Sequence, residues 1–185
     1  MQKSLVVGVL GAALMAAPAM AQGKKMTLTS TDVKAGATMN TDYIFNGFGC
    51  SGRNRSPALK WSNAPAGTQS FAVTMYDPDA PTGSGWWHWV LFNIPANVDS
   101  LPTGAGDPAA GLLPRGAIQS NTDFGAAGYG GPCPPPGKPH RYVFTVFALK
   151  VPSIPVDSRA SGAMVGFNLG ANALAKASLT AKYGR

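Results

Sequence analysis

The chain has 185 residues, a formal net charge of +7 and only 12% charged side chains. Its cations are scattered, with no basic helix or run, which argues against a nucleic-acid partner. Gly (23) and Pro (16) are too frequent for a helical bundle and favour a loop-rich β protein. At the N-terminus, MQKSLVVGVLGAALMAAPAMAQ offers Lys3, an apolar run from Leu5 to Ala17, and Ala19-Met20-Ala21 as an A-x-A cleavage site. This is the pattern of a secretory signal peptide over residues 1–21. The remainder, 22–185, reads as a single domain that is periplasmic or secreted. No later stretch is long and apolar enough for a transmembrane segment.

Strand candidates then follow between Gly, Pro and Asn punctuation: Met26–Ser30, Ala58–Trp61, Ser70–Tyr76, Trp87–Ile94 and Tyr142–Val151. The last is nearly all apolar and is expected to be a central strand buried on both faces. Met164, Phe167, Ala171 and Leu174 repeat at helical spacing and predict a C-terminal helix with that stripe inward. Ser178–Tyr183 predicts a final short strand. The fold class is therefore mainly β, a sandwich or Greek-key sheet. Cys50 and Cys133 are the only cysteines. In an oxidising compartment they pair as a disulfide or, alternatively, stay as two buried thiols.

Two segments concentrate unusual residues. DPDAPTGSGWWHW (77–89) follows the apolar run FAVTMY, and NTDFGAAGYGGPCPPPGKPH (121–140) is a long loop stiffened by five prolines. The loop, with Phe124 and Tyr129, reads as a shaped wall. Strand alternation places Trp86, His88 and Val90 on one face, and Trp87, Trp89 and Leu91 on the other. Asp77, ending one strand, is expected to meet His88 near the start of the next. Asp79 is expected to bond backbone groups within its own turn. His140 and Tyr142 share a face where the proline loop enters its strand. Two imidazoles and a phenol can donate hydrogen bonds to the oxygens of an anion, with Asp77 holding one imidazole in a single tautomer.

DPDAP, the following W-x-H, GPCPPP and P-H-R-Y together resemble the phosphatidylethanolamine-binding protein family, in particular its bacterial Raf-kinase-inhibitor-like branch. CSGRNRSPALKW and the final LTAKYGR extend the likeness over nearly the whole chain after the leader. Arg53 and Arg55 alter the branch's glycine-rich form of the early loop. The resemblance implies a central antiparallel sheet with a smaller sheet packed on it. It also implies a small pocket for anionic or phosphorylated ligands, phospholipid head groups among them. Its ligand-binding residues would be Asp77, Trp86, His88, His140 and Tyr142, with Pro81, Pro132 and Pro134 at the rim and Asp79 in support. The same fold brings the Cys50 and Cys133 loops together. The implied role is a binding protein with no cofactor, acting as an inhibitor or modulator of an unidentified protein partner and compatible with a homodimer. The alternative is a hydrolase or metal-dependent enzyme using Asp77, His88 and His140. No H-E-x-x-H or G-x-S-x-G motif supports that alternative.

Overall fold

The computed structural model describes residues 24–185, so the leader expected at 1–21 lies outside the described residues. In chain order the strands are β1 (Thr27–Thr29), β2 (Asn46–Gly47), β3 (Cys50–Ser51), β4 (Leu59–Ser62), β5 (Ser70–Asp77), β6 (Trp86–Pro95), β7 (Ser100–Leu101), β8 (Ile118–Gln119) and β9 (His140–Leu149). The helix α1 (Gly162–Asn172) and the strand β10 (Ala173–Tyr183) complete the order. The three richest runs of branched and aromatic residues, SFAVTMY, WWHWVLFNI and YVFTVFAL, form the long strands β5, β6 and β9, which suit a pleated, buried surface.

The main sheet has the order β10-β9-β5-β6-β8, and every pair is antiparallel. The portion β9-β5-β6-β8 is a Greek key, because the fourth strand returns to lie beside the first. A smaller sheet, β1-β4-β7, packs on one face. Met26, Leu28, Leu59, Trp61 and Leu101 from that side meet Phe71, Val73, Met75, Trp89, Leu91 and Phe144 of the main sheet. On the opposite face Val165 and Leu169 of α1, with Ile154, cover Ala72, Val90, Phe92 and Leu149. β9 is thus central, as its composition predicts. Among the described residues no helix is long and apolar enough to cross a membrane.

Three expectations change. The helix does not bury the stripe Met164, Phe167, Ala171 and Leu174: Met164 and Phe167 are exposed, and Leu174 lies in β10. It buries Gly162, Val165 and Leu169 instead. The indole of Trp87 lies where a Cβ on Gly162 would stand, 2.4 Å from its Cγ, so α1 docks by its smoothest side. The final strand is long, not short, and runs the full length of β9 from Ala173↔Leu149 to Tyr183↔His140. Finally, β6 carries a bulge. Trp89 faces Met75 and Trp87 faces Tyr76, leaving His88 as the extra residue. Trp87 therefore packs with Val90 and Phe92, against simple alternation, while Trp89 shares a face with Leu91 as expected.

The outer edge of β10 is partly covered. The loop at residues 36–39 hydrogen-bonds along it: Gly36 N–H to Thr180 O (2.8 Å), Met39 N–H to Lys182 O (2.8 Å), and Lys182 N–H to Ala37 O (2.9 Å).

Candidate functional site

Asp77 ends β5 and is buried, at 3% exposure. Two prolines beyond it, Pro78 and Pro81, prevent the strand from continuing and fix a tight excursion before β6. Asp77 Oδ1 accepts the N–H of Asp79 at 2.8 Å, and Oδ2 accepts Nδ1–H of His140 at 2.8 Å. The expected partner, His88, is held elsewhere. Its bulged position turns Nδ1–H onto the carbonyl of Gly130 at 2.6 Å, while Gly130 N–H donates back to His88 O at 2.8 Å. Asp123 repeats this link one residue away, accepting Trp87 N–H at 2.7 Å and donating its own N–H to Trp87 O at 3.1 Å. The 121–140 loop is therefore laced to β6 by backbone groups, the His88 ring and the Asp123 carboxylate.

Asp79 also departs from expectation. Its carboxylate does not bond its own turn but grips Arg141 on β9, with Oδ2 accepting backbone N–H and Nε–H at 2.9 Å each and Oδ1 accepting Nη2–H at 2.7 Å. The guanidinium holds its carboxyl at about 2, below the ordinary carboxylate range. This bidentate clasp sits beside the Asp77–His140 pair and fixes the strand junction carrying it.

These elements enclose a cavity of about 370 Å³. Asp77, Pro81, Trp86, His88, Pro134, His140 and Tyr142 all line it, together with Pro135, Pro136 and Thr82. Pro132 does not. It is buried, and its carbonyl accepts Phe45 N–H at 3.1 Å, so it supports the wall from behind. Tyr129, from the same loop, is a core residue whose hydroxyl donates to Tyr43 O at 2.8 Å. Phe124 does form wall: its ring meets Trp86 and His88 edge-on, with centroids 5.5 and 5.3 Å apart.

Sequence reasoning missed Phe48 and Arg185. Phe48 has left-handed backbone (φ 54°), is 65% exposed, and stacks on Phe124 at 5.8 Å. Arg185 donates Nε–H to Pro134 O at 2.7 Å, Nη1–H to Gly49 O at 3.2 Å and Nη2–H to Phe48 O at 3.1 Å. Neither residue belongs to a periodic pattern, so only the fold reveals them. The Cys50–Cys133 disulfide joins the same two rims, with Cα atoms 6.0 Å apart.

The polar groups of the cavity are few and uneven. Trp86 Nε1–H and the Tyr142 hydroxyl are buried and reach no well-formed hydrogen bond among the described residues, the hydroxyl lying beside the Asp77 carboxylate. Burial, then the nearby Asp77 charge, pushes the Tyr142 hydroxyl well up, so it keeps its proton. Burial brings His88 down to about 4, outweighing the Gly130 carbonyl and the charges of Asp77 and Asp123. Its ring is neutral at neutral pH, and its one N–H is used on Gly130. The expectation that His88 donates to an anion is therefore corrected. No three His, Cys, Asp or Glu among the described residues converge as a metal site. Asp77, His88 and His140 share one cavity, but only Asp77 and His140 pair with each other, while His88 is held by Gly130.

The sequence profile of the family described as phosphatidylethanolamine-binding protein matches residues 29–184. The UPF0098 protein YbcL of Escherichia coli is 56% identical over 164 residues, covering 88% of this chain and 90% of that protein. The UPF0098 protein YbhB of the same organism is 53% identical over 158 residues, covering 85% and 99%. The crystal structure of E. coli YbcL, described as a new member of the mammalian PEBP family, superposes with a TM-score of 0.86. It is 55% identical, covering 88% of this chain and 99% of that one.

Proposed function

Since the chain belongs to the phosphatidylethanolamine-binding protein family, we propose that its cavity binds the phosphate-type group of a small anionic ligand without transforming it. The observation that carries this reading is the pair of buried donors, Trp86 Nε1–H and Tyr142 O–H, on residues that line one cavity and without a well-formed hydrogen bond among the described residues. Buried donors are nearly always satisfied, and the oxygens of an anion in the cavity would satisfy these two. The Asp77 carboxylate in the same lining repels an anion, and the hydrogen bonds its oxygens accept from Asp79 N–H and His140 Nδ1–H, with the positive charge of Arg185, offset that repulsion. Phe48, Phe124, Trp86 and the prolines supply an apolar surround that strengthens the polar contacts.

Titration calorimetry with inorganic phosphate and phosphoethanolamine tests the reading. Trp86→Phe and Tyr142→Phe should each weaken binding by about 1.5–3 kcal/mol, the size of a hydrogen bond to a charged group. Unchanged affinity in both variants overturns it.

The leader pattern supports export to the periplasm or medium, where a bound ligand would let the protein act as an inhibitor or modulator of a protein partner. Intact-mass measurement of the exported protein should give a chain beginning at Gln22. Retention of residues 1–21 overturns the location.

A further inference from the structure

Hydrogen-bond geometry fixes where the two cavity imidazoles carry their hydrogens. His88 Nδ1 lies 2.6 Å from the carbonyl oxygen of Gly130, which can only accept, so Nδ1 bears the hydrogen. His140 Nδ1 lies 2.8 Å from the Asp77 carboxylate, which also accepts. Neither Nε2 has a partner among the described residues. In a neutral ring with hydrogen on Nδ1, Nε2 is a bare lone pair and can only accept. The cavity therefore offers donors at Trp86 and Tyr142 and an acceptor at His88.

An anion whose oxygens are all bare fits the two donors but sets a lone pair against that of His88. The mismatch could be relieved by protonating His88. The groups facing it are Asp77 on β5, Asp123 in the proline-rich loop, Tyr142 and His140 on β9, and Arg185. The two acids favour the extra proton, but burial outweighs them.

Resting on the anion-binding reading above, we propose that His88 Nε2 accepts a hydrogen from the ligand. The site thereby selects tetrahedral anions that carry a hydroxyl, such as hydrogen phosphate or a singly ionised phosphomonoester, over sulfate and phosphodiesters. Trp86 and Tyr142 hold the ionised oxygens, and the P–OH group faces His88.

Calorimetry on the full chain at pH 7 with inorganic phosphate, sulfate and dimethyl phosphate tests this. Phosphate should bind at least about ten-fold tighter than either of the others, the value of one hydrogen bond to a charged group. His88→Gln, whose amide can donate as well as accept, should shrink that ratio to about three-fold or less. Equal binding of phosphate and sulfate by the wild type overturns the selectivity while the anion pocket stands. Failure of all three to bind overturns both. If His88→Gln does not fold, methyl phosphate decides on the wild type. Its affinity should fall about ten-fold per pH unit above its second ionisation near pH 6, where it loses its hydroxyl. Affinity constant from pH 6 to 8 overturns the proposal.

Discussion

At the scale of single residues, His88 links the site to stability. Its ring is held neutral, at about 4, by burial, against 6.5 for an unperturbed histidine. Between those values the unfolded chain binds more protons than the folded one, so stability falls as pH falls. The contribution is fully present above pH 6.5 and is lost progressively toward pH 4, for a total of about 3 kcal/mol. His88→Asn removes the titrating ring. Urea unfolding at pH 7 and pH 4.5 should show a loss about 2–3 kcal/mol smaller in the variant than in the wild type. Identical losses would mean that His88 is not buried in its neutral form. The sequence made the identity of this residue conspicuous, but not its partner. Pro and Gly around 77–89 marked a turn, and the two histidines stood at loop–strand junctions. Alternation then paired His88 with Asp77. The bulge that turns it to Gly130 arises from pairing with β5 and with the proline loop, which no local pattern encodes.

At the scale of elements, legibility followed side-chain bulk. β5, β6 and β9 announced themselves because branched and aromatic residues fit a pleated surface. β10, ALAKASLTAKY, is rich in alanine and lysine, which carry no strand preference. Its long pairing with β9 imposes the strand over that weak local preference. The same competition set the face of α1, where large residues were expected inward and glycines hold the contact. A paired substitution tests that contact. Gly162→Ala places a Cβ 2.4 Å from Trp87 and should destabilise by about 1–3 kcal/mol through overpacking. Gly170→Ala meets nothing within 4 Å and should stabilise by about 0.5–1 kcal/mol through helix propensity. Thermal melts of the two variants should move in opposite directions, and a common direction would show that α1 does not dock by its glycine side.

At the scale of the whole molecule, the pocket is a meeting of distant segments. Its walls come from the turn after β5, the start of β6, the proline loop, β9, the Phe48 loop and Arg185. The disulfide closes 83 residues between two of these walls. Cys50→Ser/Cys133→Ser should lower unfolding stability by about 4 kcal/mol in the chain-entropy account. A urea midpoint equal to that of the wild type would show that the bridge does not constrain the unfolded chain. One further consequence belongs to the outer margin of the main sheet. A long strand with open amide and carbonyl groups is a template on which another chain can pair, the first step of ordered aggregation. The residues 36–39 occupy those groups near Thr180 and Lys182, and exposed Lys176 and Lys182 put charge along the same strand. The short loop that merely drapes β10 thus guards the molecule against polymerising through its own sheet.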